Sequence, residues 1–106
     1  MGRWAQAQRM GSASEIGRFY DYTITGWVDG GGFWRFNWLC SADPLRWEYR
    51  QWYFTGGIWV GPIQTSIGPS SRTFQTTVGI GIPIKAQLRA YTSRGFGAWT
   101  PELVSP

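Results

Sequence analysis

The side chains that could carry out chemistry are few in this sequence. It has no histidine and a single cysteine, which excludes the common zinc ligand sets and every nucleophile that relies on a histidine base. A pair of carboxylates could still hydrolyse a glycosidic bond. The acidic residues are Glu15, Asp21, Asp29, Asp43, Glu48 and Glu102. Their spacing indicates no such pair. Several of them fall in turns, where an Asp side chain typically hydrogen-bonds to the nearby backbone. We predict that the chain is not an enzyme and uses no cofactor and no metal.

The glycines and the cysteine do not point to a reactive site either. The runs 30–32 and 56–57 lack the strand-Gly-x-Gly-x-x-Gly-helix context of a phosphate-binding loop, so they are interpreted as turns. Cys40 falls on the inward side of a predicted strand, which indicates a buried, unreactive thiol. One cysteine cannot form an internal disulfide. No run of about 18 apolar residues could span a membrane, and the N-terminus lacks the apolar core of a signal peptide. We therefore expect synthesis in a cytoplasm and no membrane partner.

The stretch 83–99 gives the strongest structural signal. Its apolar and polar residues alternate with a period of two, which predicts a strand with one face in a core and the other in solvent. The inward set is Ile84, Ala86, Leu88 and Ala90, and the outward set is Lys85, Gln87, Arg89 and Tyr91. A turn over 92–95 and a return strand from Phe96 to Pro101 would complete a hairpin. Because one hairpin with one apolar face is not stable alone, a second sheet is required.

Similar alternation predicts strands over 19–28, 33–40, 45–55, 58–60, 63–67 and 72–78, with turn signals between them. Regular short strands of this kind are typical of a sandwich or barrel. The predicted fold is all-β: a single antiparallel β-sandwich of about seven strands over residues 19–106, preceded by an N-terminal arm over 1–18. Within the strand 45–55, Glu48 lies between Arg46 and Arg50, which indicates a solvated, charged face with cross-strand partners.

The arm over residues 1–18 stands apart from this pattern. It is basic, and Gly11 and Gly17 interrupt any helical stripe, so we expect an extended or partly helical segment. Tryptophan and arginine dominate the energetics of protein interfaces. The arm is therefore predicted to be held by another chain, and packing on the body of its own domain is the alternative. The predicted anchors are Arg3, Trp4, Arg9 and Met10.

Aromatic residues are in excess of what a small core needs. They make up 18% of the 106 residues, with eight tryptophans, whereas charged residues make up 15%. Trp27 and Trp52 fall on faces opposite the predicted core, and Trp59 lies in a short edge strand, so we predict that these three bind a partner. Burial by sheet curvature or a wrong strand parity is the alternative. Stacking on a sugar ring and on single-stranded nucleic acid are two further interpretations, and the modest net charge of +4 disfavours nucleic acid.

Three segments carry motifs of a known kind: Trp34-x-Phe36-x-Trp38, Asp43-Pro44 followed by Trp47-x-Tyr49, and Ala86-x-Leu88-x-Ala90 followed by Gly95-Phe96-Gly97-Ala98-Trp99-Thr100. Through these segments, residues 30–101 resemble a fibronectin type III domain. Ile84 stands where the family usually has a tyrosine whose hydroxyl ties down a corner. The resemblance implies a binding or spacer module rather than an enzyme.

Single-domain versions with a basic N-terminal arm are most similar to small virion proteins of tailed bacteriophages. The resemblance therefore implies a minor tail or capsid decoration protein, located in the virion after synthesis in the host cytoplasm. Its partners would be other protein subunits of the particle, and a homo-oligomer stays open. A carbohydrate-binding sandwich that uses exposed tryptophans is the alternative function, with a glycan as its partner.

Overall fold

The structure of the protein is a computed structural model, and it describes residues 22–106. Over this range the chain is all-β, without a helix, as the alternating pattern predicted. The strands are β1 Tyr22–Asp29, β2 Phe33–Cys40, β3 Arg46–Thr55, β4 Ile58–Ile67, β5 Thr73–Gly79, β6 Ile84–Thr92, β7 Gly95–Phe96 and β8 Leu103–Val104.

The strands form two antiparallel sheets. One has the order β1-β2-β5, and the other has the order β4-β3-β6-β7, with β8 also paired to β6. Two sequence-predicted elements differ by more than a residue or so at their ends. The pieces 58–60 and 63–67 are one strand, β4, which continues through Gly61. The predicted return strand after the last turn ends at Phe96, and pairing to β6 resumes only at Leu103.

Aromatic side chains from both sheets meet in the core between them. The ring of Tyr22 in β1 packs edge-on against Trp47 in β3, with centroids 5.0 Å apart, and Phe36 in β2 packs on Tyr49 at 5.7 Å. Such pairs add about 0.5–1.5 kcal/mol each to the burial of their area. The predicted inward set of β6 is buried throughout. The core therefore confirms the two-sheet arrangement that a single-faced hairpin requires.

Trp27 belongs to this core, so the prediction that it faces outward is wrong. Register along β1 shifts between Ile24 and Gly26, which leaves Thr25 as the extra residue of a β-bulge. Gly26 adopts a φ of 109°, which favours glycine. Because the bulge reverses the parity of the strand, Trp27 turns inward and is only 2% exposed. Its Nε1 donates a hydrogen bond to the carbonyl of Leu103 at 3.2 Å.

The C-terminal segment is fastened along β6. The amide of Ile84 donates to Ser105 Oγ at 3.0 Å, and the amide of Ser105 donates to the carbonyl of Ile84 at 2.7 Å. Further along, the amide of Leu88 donates to Thr100 Oγ1 at 3.0 Å, and the amide of Thr100 donates back to the carbonyl of Leu88 at 2.9 Å. These reciprocal bonds hold Trp99 against the outer face of the sheet.

Candidate functional site: the outer face of the larger sheet

The outer face of the β4-β3-β6-β7 sheet carries alternating cations and aromatic rings. Antiparallel pairing sets Arg46 opposite Tyr91, Trp52 opposite Lys85 and Glu48 opposite Arg89. Since side chains in a strand alternate between faces, these residues all point away from the core. We call the cations and rings of this face that are in cation–π contact with one another the ladder. Its members are Arg46, Arg50, Trp52, Trp59, Lys85, Arg89, Tyr91, Phe96 and Trp99.

At the β7 end of the ladder, guanidinium groups lie against ring faces. The Cζ of Arg46 lies 4.2 Å from the ring centroid of Tyr91. The Cζ of Arg89 lies 3.8 Å from Phe96 and 4.3 Å from Trp99, and the Cζ of Arg50 lies 4.1 Å from the same Trp99 ring. Cation–π contacts of this length contribute about 0.5–2 kcal/mol each, depending on solvation. Trp99 is thus contacted by two arginines at once.

At the β4 end, aromatic rings surround one ammonium group. The Nζ of Lys85 lies 4.7 Å from the ring of Trp59 and 5.3 Å from the ring of Trp52. Phe54 packs edge-on against Trp59, with centroids 5.2 Å apart. The Lys85 ammonium also forms an ion pair with Glu102, with Nζ 3.3 Å from Oε1. We call Trp52, Phe54 and Trp59 the aromatic patch.

Glu48 sits beneath the ladder, and the expectation that it is solvated is wrong. It is 4% exposed and accepts hydrogen bonds from Arg46, Gln64 at 2.9 Å and Ser66 at 3.0 Å. The long side chains of neighbouring strands cover it, although its own face of the sheet is the outer one. Burial raises the pKa of Glu48, but the three hydrogen bonds and the charge of Arg46 outweigh burial and hold that pKa below its ordinary value.

This carboxylate predicts a dependence of stability on pH. Because the folded-state pKa of Glu48 is lowered, its stabilisation is present above the unfolded-state pKa and is lost as the pH falls through the folded-state pKa. We expect the free energy of unfolding to fall on acidification below about pH 4.5. The Glu48→Gln variant should be less stable at neutral pH and should lose part of this acid dependence. Urea unfolding at several pH values measures this free energy. If the stability of the variant fell on acidification as steeply as that of the unaltered chain, Glu48 would not be the source of the pH dependence.

Arg50 and Arg89 are the two cations of the ladder without a carboxylate partner among residues 22–106. Arg50 Nε donates to Gln87 Oε1 at 2.8 Å, and Gln87 Nε2 donates to the carbonyl of Thr100 at 2.7 Å. The Nε of Arg89 is buried and has no hydrogen-bond partner in the described part of the chain. Desolvation lowers the pKa of Arg89, the charge of Glu48 opposes this, and the charges of Arg50 and Arg46 lower it further.

A second feature is a cleft of about 210 Å³ between β4 and β5, at the open side of the sandwich. It is lined by Tyr49, Gln51, Ile63, Thr65, Phe74 and Thr77. The hydroxyl of Tyr49 lies 2.6 Å from Gln51 Oε1. Burial raises the pKa of Tyr49, so its hydroxyl stays protonated and acts as a donor rather than a base.

The structure brings together two of the sequence-predicted site residues, Trp52 and Trp59, around Lys85. Trp27 lies in the core instead. The other predicted site residues lie outside the described range: Arg3, Trp4, Arg9 and Met10. Sequence reasoning missed Arg50, Arg89 and Trp99 as a group. The outward parity of Arg50 on β3 and of Arg89 on β6 was readable, but the pairing register that aligns the two strands was not.

Within residues 22–106, no helix is long and apolar enough to cross a membrane, and no cluster of three or more His, Cys, Asp or Glu side chains could hold a metal ion. Comparison with protein-family models, with curated proteins and with solved structures finds no significant match to this chain.

Proposed function

We propose that the chain is a non-enzymatic binding module that docks onto other protein subunits of a large assembly, as a minor tail or capsid decoration protein of a bacteriophage particle does. The aromatic patch carries this proposal. Trp52 and Trp59 are half-buried, Phe54 is 38% exposed, and Val104, paired with Lys85, is 49% exposed. A cluster of large aromatic side chains with Arg50 in contact with Trp52 matches the composition of interface hot spots.

The strand order supports a fibronectin type III-like module. Immunoglobulin-type sandwiches place strands A, B and E in one sheet and strands C, F and G in the other. The sheets β1-β2-β5 and β4-β3-β6-β7 follow the same scheme, with β4 added beside β3. Such modules bind or space other proteins, but fold alone does not fix a function. The bacteriophage setting is an analogy with small virion proteins that carry a basic arm.

The patch is also held in place before any partner arrives. Trp52 packs against Gly61, where an added Cβ would lie 3.1 Å from its ring. Lys85 contacts both tryptophans, and Glu102 anchors Lys85. Rigid aromatic side chains lose little conformational entropy on binding, which favours affinity. The arrangement suits a permanent contact inside an assembly.

The proposal predicts that the protein co-purifies with particles. The particles to purify are those whose genome encodes this chain. We expect quantitative mass spectrometry to find the chain in them at a fixed number of copies per particle. The double variant Trp52→Ala, Trp59→Ala should fold but be depleted from particles by about tenfold or more, as expected for loss of two hot-spot side chains. Deleting residues 1–18, the proposed second anchor, should have the same effect.

The matched control is Leu39→Ala, which removes a side chain 62% exposed on the other sheet. Leu39→Ala should incorporate normally. Particles that lack the chain altogether, or normal incorporation of the double variant, would overturn the docking function. Glycan binding is the competing use of the patch, since flat rings stack on sugars. A shift of tryptophan fluorescence by a member of a glycan panel, absent in the double variant, would favour the carbohydrate-binding alternative.

A further inference from the structure

We propose that Arg50 of β3 and Arg89 of β6, which both contact the ring of Trp99, bind the carboxylates of an acidic peptide segment in the docking partner. The inference rests on the proposed docking function and names the chemistry of the segment that the face receives. It concerns the part of the ladder away from the aromatic patch. That part is built from β3, β6 and the segment after β7.

Charge on the ladder is unbalanced. It carries four cations, of which Arg46 is paired with Glu48 and Lys85 with Glu102. Arg50 and Arg89 have no carboxylate within salt-bridge distance among residues 22–106, although both contact the ring of Trp99. Glu48 lies opposite Arg89 and offsets part of its charge, but Glu48 is already ion-paired with Arg46. A positive excess therefore remains on this face, and a bound anion would reduce the repulsion between Arg50 and Arg89. A short segment with two or three acidic side chains matches this excess.

Among residues 22–106, the two guanidinium groups use little of their hydrogen-bonding capacity. Within that range Arg89 Nε is buried without a hydrogen-bond partner, and Arg50 donates only through Nε, to Gln87. A guanidinium presents its N–H groups in a plane that matches the two oxygens of a carboxylate. Since Arg89 Nε is itself buried, a bound carboxylate would accept hydrogen bonds from the terminal N–H groups of the two guanidiniums.

The rings of this part of the ladder favour a peptide over a nucleic acid. Single-stranded nucleic acids bind where a basic groove offers aromatic faces on which bases stack. Here Trp99 is contacted by Arg50 and Arg89, and Phe96 by Arg89 at 3.8 Å and Arg46 at 5.6 Å. Because arginines of the chain itself occupy those ring faces, little ring surface is left on which a nucleic-acid base could stack. The N–H groups of the arginines can still donate hydrogen bonds, which is all that a carboxylate requires.

Fluorescence anisotropy of a labelled hexaglutamate peptide, titrated with the full chain at low ionic strength, tests the proposal. We expect saturable binding that weakens with added salt, because screening acts on partly exposed charges. Arg50→Gln and Arg89→Gln should each weaken binding by about tenfold, the loss expected for one charge-assisted hydrogen bond. Arg35→Gln, which removes the same charge from the outer face of the other sheet, is the matched control and should bind as the unaltered chain does.

Three results would overturn the proposal: no saturable binding of hexaglutamate, an equal loss of binding in Arg35→Gln, or tighter binding of oligothymidylate or of a heparin oligosaccharide at the same two arginines. Circular dichroism of each variant checks that it is folded. Failure of this inference is distinguishable from failure of the docking function. If hexaglutamate does not bind but the Trp52 and Trp59 double variant is still depleted from particles, only the acidic segment is wrong.

Discussion

Replacing Trp27 with alanine is expected to lower the free energy of unfolding by about 3–5 kcal/mol, the usual effect of removing a large buried aromatic side chain. The indole is 2% exposed and packs edge-on against Phe36, with ring centroids 5.0 Å apart. The variant also leaves the carbonyl of Leu103 without its indole donor. Since small domains are stable by about 5–15 kcal/mol, this loss is a large part of the total. Urea denaturation followed by circular dichroism measures it.

Two further variants separate the causes. Trp27→Phe keeps a ring in the core but removes the N–H that donates to the Leu103 carbonyl. Its loss of unfolding free energy should therefore be clearly smaller than that of Trp27→Ala. Leu39→Ala, at a strongly exposed position, should change stability by no more than about 0.5 kcal/mol. If Trp27→Ala were as mild as Leu39→Ala, Trp27 would lie on the surface, as its position in the sequence pattern suggested, and the bulge at Thr25 would be wrong.

The second large effect is expected at Gly61, in the middle of β4. Gly61 has a φ of 143°, and a Cβ at this position would lie 2.7 Å from the backbone carbonyl oxygen of Gln51. Gly61→Ala therefore combines an unfavourable backbone conformation with a clash that only a backbone shift relieves. We expect a loss of stability of about 2–4 kcal/mol. Thermal and urea unfolding of the variant measure this loss.

Gly61→Ala should also disturb the aromatic patch, because the ring of Trp52 lies against the same glycine. A change in tryptophan fluorescence or near-ultraviolet circular dichroism of the folded variant would report that movement. The matched control is Gly68→Ala. Gly68 has open space around it and no positive φ, so this variant should be neutral or more stable by about 0.4–1 kcal/mol. Equal stabilities for the two variants would contradict the close approach of β4 to β3.

These two sites bear on the proposed function in different ways. Trp27 fastens β1 to the C-terminal segment, which in turn holds Trp99 on the ladder. Gly61 lets β4 approach β3 closely enough for Trp52 to share Lys85 with Trp59. The proposed binding face is therefore assembled by contacts that lie beneath it or beside it. Variants of the face itself should change binding with less effect on stability.

The amino-acid sequence alone determined the class of fold and most of the strands. Alternation along 84–91 is so regular that its inward residues, from Ile84 to Ala90, are all buried as predicted. The same pattern predicted the second strand, 33–40, with its bounds unchanged. A period of two is a local property of the chain, so it is readable without knowledge of the partner strands.

Only the tertiary structure determined where the alternation of inward and outward residues breaks down, and which residues from distant strands come into contact. A single bulged residue, Thr25, reverses the parity of β1 and moves Trp27 from the predicted surface into the core. Long side chains from neighbouring strands bury Glu48 on a face that the sequence marks as solvated. The ladder itself depends on register, because a shift of one residue between β3 and β6 would send half of its members to the other face. Register is set by pairing between distant segments, and no local pattern records it.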